Sequence, residues 1–410
     1  MRRTGCGLRR AARPITRGTT IPQGPRQGDR RADLRTHRRN DRRVAPRLRR
    51  LALAAAIAAG SAPAWGIDYV WLGGSGDWLD PGRWSPAGTP GAGDGVTLGS
   101  GTATLDVDRV IDSLTMTGGN RAGTGTLTTG GLSFSSGSLT GAGVTTATGT
   151  TSFVGTANQT INSNHVLALA GGATWSAGNG SINAQTGGSL RLAAATGFFD
   201  AGAATAGGTR FLGFGNGGFI NAGTYERNGL GTTNAYAFEN TATGTLNVNA
   251  GTLNFASASS SSGVINVAGG ALLSFGGGNS TVSGSIANAG LVRLSAGTLT
   301  MTGSIGGDVH LDFGTFNNDS VNTLGRLQVT GGTRSGSAAL QVASLEFNNG
   351  TFNGGATTTV FGITTFNGGV TQTVNSNHVL QLNGDAFWSA GDGSINATSS
   401  GSLRVAASAT

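Results

Sequence analysis

The sequence predicts an all-β chain, a parallel β-helix (β-solenoid) closed at its N-terminal end by a Trp-rich cap. Three observations carry that prediction: a long segment occurs twice at fixed spacing, short runs alternate apolar with small or polar residues, and glycine and asparagine punctuate those runs throughout. Alternation with period two marks strands with one buried face. A duplication that holds its spacing marks a stack in which each layer touches only its neighbours.

The duplication is plainest in QTINSNHVLALAGGATWSAGNGSINAQTGGSLR (Gln159 to Arg191) and QTVNSNHVLQLNGDAFWSAGDGSINATSSGSLR (Gln372 to Arg404). His165 maps to His378 and Trp175 to Trp388 at one offset of 213 positions, with no gap. The same offset carries Leu114 to Leu327, Arg121 to Arg334, Phe134 to Phe347 and Phe153 to Phe366. The copied unit therefore covers about 111–197 and 324–410.

Composition narrows the classes of function. The chain has 410 residues, 74 of them Gly, and only 11% are charged, so it lacks the charge that keeps disordered chains open. Its net charge of +8 is unevenly placed. Residues 1–64 hold 17 Arg against Asp29, Asp33 and Asp41, which gives +14, whereas the remainder holds 10 Arg against 16 acidic residues, which gives −6. A nucleic-acid partner needs a basic stripe on the folded part, and this part is mildly acidic, so none is expected. The chain contains no Lys, which excludes a P-loop and a lysine Schiff base. Its one cysteine, Cys6, lies in the leader, so the remainder has neither a disulfide nor a cysteine nucleophile or ligand.

In chain order, Met1 to Arg50 is Arg-rich without apolar periodicity. Leu51 to Gly60 (LALAAAIAAG) and Ser61-Ala62-Pro63-Ala64 follow. Basic region, short apolar core and small-x-small ending together read as a secretory signal peptide cleaved after Ala64. The apolar run is too short to span a bilayer.

Residues 65–100 change texture and hold four of the six Trp, as Trp65, Trp71, Trp78 and Trp84. Two readings suit aromatics held by Gly and Pro turns. They can cover the open first layer of a strand stack, or Trp71, Trp78 and Trp84 can offer flat faces as a glycan platform. Terminal layers of repeat arrays are atypical because they must block end-to-end pairing, and this favours the cap.

From 101 to 410 the chain consists of short β-type runs such as TLTMTG, HVLALAGG, TLNVNAG, GVINVAGG and GLVRLSAG. Gly-Thr-Leu and Asn-Ala-Gly phrases separate them, and Gly and Asn tolerate the positive φ of sharp corners. Coils of about 20 residues give roughly 15 layers and a rod roughly 75 Å long at about 4.8 Å per layer. The aromatic blade signature of a propeller is missing.

The leader, the opening WLGGSGDW...PGRWSP...GDGVTL and the Gly-Thr-Leu and Asn-Ala-Gly coils resemble the passenger regions of bacterial autotransporters and related secreted β-helix surface adhesins. The resemblance spans nearly all of the chain after the leader and rests on texture rather than on a catalytic motif. It implies an exported Gram-negative protein, secreted or held at the cell surface in association with the outer membrane. Autotransporters end in a translocating β-barrel, which this sequence does not contain. It stops at Thr410, where the first copy continues into Gly197-Phe198-Phe199, so a fragment, or an outer-membrane translocator acting in cis or trans from elsewhere, is expected.

Candidate chemistry is sparse. Asp106 and Asp108 share a face if 105–108 is a strand, and with Asp112 they could hold a hard cation. The alternative is a solvated edge that discourages aggregation. His165 and His378 follow asparagines in equivalent turns, and zinc would need several ligands converging, whereas only His310 remains besides them after the leader. Arg191 and Arg404 have no acidic neighbour in sequence, and no Ser, His and Asp constellation is visible.

The expected function is therefore that of a non-enzymatic, exported β-solenoid without cofactor or metal, an adhesin or surface-structural passenger. Its partner would be a host or environmental surface, a glycan or a matrix protein. The alternative is a carbohydrate-active β-helix, a polysaccharide lyase or hydrolase using an Asp-rich groove.

Overall fold

In a computed structural model the described residues are 66–410, apart from 177, 179, 214, 216, 390, 392, 408 and 410; the expected leader, 1–64, lies outside them. Among the described residues the chain is all-β, with a single 3₁₀ turn at Pro81–Arg83. Its strands stack in parallel as a β-solenoid of about fifteen coils.

Each coil has three strands, and each strand pairs with its counterparts one coil before and one coil after. One ladder runs through Gly95–Leu98, 113–116, 131–134, Thr151–Phe153, Ala173–Trp175, Gly197–Asp200 and Thr224–Arg227. A second runs through Thr102–Thr104, 120–122, 138–139, Gln159–Ile161 and Ile182–Ala184. The third begins with 109–111 and continues through 127–129, Val144–Ala147, Val166–Leu169 and Ser189–Leu192. Along each strand every second side chain points inward, as in Leu246 and Val248 or Leu253 and Phe255. This is why period two was readable in the sequence.

The interior is a column of aliphatic and aromatic residues. Phe153, Phe198, Phe219, Phe238, Phe255 and Phe275 follow one another with ring centroids 5.1 to 6.0 Å apart. Removing any one of these rings leaves a cavity between rigid coils, at a cost of about 3–5 kcal/mol. Corners demand glycine where coils touch through their backbones. Gly278, Gly297 and Gly314 have φ of +65°, +71° and +81° at successive layers of one corner, and a Cβ on Gly297 would lie 2.0 Å from the Gly278 carbonyl oxygen.

The two copies of the repeat do not lie on the same faces. Residues 113–116 belong to the first ladder, whereas their equivalents, 326–329, belong to the second, which is traced from Ile182 through Leu212, Ala235, Phe255, Phe275, Leu294 and Leu311 to Val329. The offset is thus not a whole number of coils, and the second copy is turned by one face about the rod. A segment tolerates that shift only where the three faces offer nearly equivalent surroundings.

At the N-terminal end, Asp68–Trp71 pairs in parallel with Gly95–Leu98, and Ser75–Asp77 with Thr102–Thr104, so the Trp-rich stretch forms the first layer. Trp84–Ser85 then runs antiparallel along the outer edge of Asp68–Trp71. An antiparallel strand there interrupts the parallel register by which a further coil would add.

Candidate functional site

The structure distributes the sequence candidates over a cap, two equivalent interior clusters and the outer faces. Trp71, Trp78 and Trp84 are buried, with the Trp84 ring edge-on to both others at 4.9 Å. Trp84 Nε1 donates to the Trp78 carbonyl at 2.7 Å. Rings packed this way fill the first layer and leave no flat face for a saccharide, which corrects the platform alternative.

Residues 105–108 form a loop with a bend at Val107 rather than a strand, so the condition on which Asp106 and Asp108 would share a face is not met. Each carboxylate instead reaches the following coil. Asp106 Oδ1 accepts from the Thr124 amide at 2.9 Å and its hydroxyl at 3.2 Å, and Asp108 Oδ1 accepts from the Thr126 amide at 2.8 Å. Asp319, the equivalent of Asp106, does the same with Ser337 at 2.9 Å and 3.0 Å. Asp112 is exposed on the strand Arg109–Ala122, apart from these two turns. Among the described residues no three His, Cys, Asp or Glu side chains converge as a metal site would require.

His165 and His378 belong to a duplicated interior cluster. Ser163 and Asn164, like Ser376 and Asn377, adopt left-handed backbone conformations with φ between 53° and 64°. That turn aims the imidazole inward, where His165 is fully buried. His165 Nδ1 lies 3.1 Å from the Gly141 carbonyl oxygen and 3.4 Å from Arg121, and Nε2 lies 3.0 Å from the Thr145 hydroxyl. His378 repeats this with Gly354 and Thr358, both at 3.1 Å. Arg121 donates to the Gly123 and Gly125 carbonyls, and Arg334 to the Ala338 carbonyl at 2.6 Å. Burial, reinforced by the neighbouring guanidinium, lowers His165 and His378 to about 4. Burial likewise lowers Arg121 and Arg334 to about 10. These groups satisfy corner carbonyls that water cannot reach.

A third interior cluster was not anticipated. Asp200, Arg210 and Arg227 have side chains closed to solvent. Asp200 contacts Arg210 as an ion pair and lies 3.7 Å from Arg227. Its oxygens also accept from the Tyr225 hydroxyl at 2.6 Å, the Thr233 hydroxyl at 2.8 Å and the Gly202 amide at 2.8 Å. Arg227 donates to the carbonyls of Gly229, Leu230 and Gly231. The Arg210 guanidinium sits 3.5 Å over the Trp175 ring. Burial raises the Tyr225 hydroxyl well above its usual range. Coil length breaks between Asp200 and Thr209 beside this cluster, where Ala203 bridges Leu230.

No family model matches this chain, and neither does any curated protein or solved structure.

Amide side chains on the outer faces stand in register, among exposed apolar residues such as Phe313, Val321 and Phe361. Asn254 donates to Asn234 at 2.7 Å, Asn266 to Asn247 at 2.8 Å and Asn249 to Asn228 at 2.7 Å, each pair joining successive coils. Further along, Arg293, His310, Gln328 and Glu346 form one outward column, flanked by contacts from Arg293 to Asp312 and from Arg326 to Glu346. Near the cap, Pro90, Asp108, Arg109, Val110, Thr126 and Thr128 line an open groove of about 560 Å³. Arg191 lies on an outer face, its Nε 3.3 Å from the Ser189 hydroxyl.

Proposed function

We propose that this chain is an exported, non-enzymatic surface rod, an adhesin or structural passenger of an autotransporter-like protein, displayed at or released from the outer membrane of a Gram-negative cell. The observation that carries the reading is the division of labour among its polar groups. The interior charges are engaged with one another and with corner carbonyls, while amide side chains repeat in register along stretches of the outer faces. A repeated polar surface offers many weak, equivalent contacts, and such contacts multiply when the opposing glycan or matrix protein is itself repetitive. Binding of the chain from residue 65 onward to cells, matrix proteins and a glycan array tests it. Retention on at least one of these is expected, and retention on none overturns adhesion.

The groove beside Asp108 and Arg109, where a carboxylate and a cation share an open cleft, favours a carbohydrate-active β-helix as the second reading. Release of reducing ends from a polysaccharide panel, abolished in the Asp106→Asn, Asp108→Asn double variant, would support it over the first.

A further inference from the structure

We infer that the groove beside the cap is a binding site for a uronic-acid residue of a glycan, with Arg109 receiving the sugar's carboxylate. The inference deepens the adhesive reading above, on which it rests, by naming the class of sugar and the place that holds it.

The groove follows from how the first layer is built. Asp68–Trp71 and Ser75–Asp77 lie beneath the first and second ladders, whereas the third begins at 109–111 with no strand beneath it among the described residues. The chain crosses that side as a loop over 86–94, in which the Gly88 amide donates to the Pro81 carbonyl and the Asp94 amide to the Gly91 carbonyl. Between Pro90 on this loop and Asp108, Arg109, Val110, Thr126 and Thr128 on the coils above, a recess of about 560 Å³ remains. That volume is in the range of small-ligand sites.

Arg109 gives the recess its chemical preference. Arg121, Arg210, Arg227 and Arg334 direct their donors to backbone carbonyls. Arg109 has no hydrogen-bond or ion-pair partner among the described residues, and its Nε is buried. A planar carboxylate matches such a guanidinium fork by taking two parallel N–H donors. The acids nearby limit the charge of the ligand. Asp94 accepts from the Ile67 and Gly91 amides and Asp106 from Thr124, so both stand at the margins of the groove. With Asp108 they repel a densely sulfated or phosphorylated chain more than a sugar bearing one carboxylate.

The remaining groups suit the rest of a sugar ring. Asp108 accepts from the Thr126 amide through Oδ1 alone, which leaves Oδ2 to accept from a ring hydroxyl. Thr126 and Thr128 flank the buried Leu127 and turn their hydroxyls to the groove side of the strand. Val110 is exposed and offers apolar surface to the C–H face of the ring.

Calorimetric titration of the full chain with a short oligogalacturonate tests the site, with the same oligomer reduced to its neutral alcohol as control. The acid form is expected to bind about tenfold tighter or more, by a margin that shrinks with added salt. Arg109→Gln is expected to abolish that margin and Arg109→Lys to restore part of it, because lysine keeps the charge without the fork. Thr128→Val, which removes a hydroxyl at nearly constant volume, is expected to weaken both forms and decides the matter if Arg109→Gln melts early. Equal affinity for the two forms, binding of neither, affinity unchanged by Arg109→Gln, or tighter binding of a sulfated oligosaccharide without carboxylates overturns the proposal. Retention on cells, matrix proteins or neutral glycans that Arg109→Gln leaves intact removes this site and keeps the adhesive reading. Retention on none of them removes that reading, whatever the titration shows.

Discussion

Arg121 and Arg334 enter equivalent corners of the rod from two different faces, each beside a buried histidine that bridges a corner carbonyl and a threonine hydroxyl. That a charged cluster survives rotation by one face shows that its surroundings are supplied within a few adjacent coils. Local sufficiency of this kind is the physical basis for treating a solenoid as a sum of layers and contacts between layers.

A pH dependence follows from the histidines. His165 and His378 are held at about 4 in the folded chain against 6.5 unfolded. Above pH 6.5 both states are neutral and contribute no difference. Between 6.5 and about 4 the unfolded chain binds protons that the folded chain does not, so stability falls as pH falls. Each shift corresponds to about 3 kcal/mol when that window has been crossed. Denaturant unfolding at pH 7.5 and pH 4.5 is expected to show the loss, and His165→Gln with His378→Gln to flatten the slope between them.

Asp200 is the only acidic member of its buried cluster and faces two guanidinium groups and two hydroxyls. Asp200→Asn preserves shape while leaving Arg210 and Arg227 without a countercharge. Removing one partner of a buried ion pair costs about 3–5 kcal/mol. Thermal melting is expected to fall accordingly, with hydrogen exchange quickening in the strands Thr209–Leu212 and Thr224–Arg227 before it does in coils farther away. Uniform exchange along the rod would contradict the layer-by-layer account.

How much was legible in the sequence varied with the range of the interaction. Alternation in stretches such as Leu246-Asn247-Val248 and the corner phrases around Gly297 are local signals, and they announced strands, turns and the stack. The duplication placed His165 with His378 in equivalent turns but gave no face, because coil lengths vary and the offset spans them all. Whether Asp106 and Asp108 share a face cannot be settled from sequence, because nothing within those few residues reveals that Thr124 and Thr126, a coil later, use their oxygens. The Asp200 cluster is hidden for the same reason, apart from the irregular segment between Asp200 and Thr209. Its members are drawn from separate strands, Gly197–Asp200, Thr209–Leu212, Thr224–Arg227 and Thr232–Ala235, and meet only when these strands stack.

The cap leads to a test of solubility as well as stability. Trp84 contacts Tyr69, Trp71 and Trp78 and belongs to the strand that blocks the outer edge of Asp68–Trp71. Trp84→Ala is expected to cost about 3–5 kcal/mol from the lost ring. It also loosens the plug over an unpaired edge, so concentration-dependent association by light scattering is expected to rise together with the stability loss. Trp84→Phe, which refills much of the volume, should recover solubility before it recovers the full melting temperature.

Calcium provides the last test, because Asp106 and Asp108, once eligible as ligands, are committed elsewhere and Asp112 stands apart from them. Asp106 and Asp319 each accept from an amide and a hydroxyl on the next coil, and Asp108 from an amide, so a cation would have to compete with hydrogen bonds that hold adjacent layers together. Millimolar calcium, or chelation by EDTA, is expected to leave the melting temperature unchanged. Asp106→Ala and Asp319→Ala are each expected to lower it, whether calcium is present or not, since what they remove is a tie between coils. Were calcium to raise the melting temperature of the unaltered chain and not that of the Asp106→Ala variant, the carboxylate would be a cation ligand and the assignment as a tie between coils would be wrong.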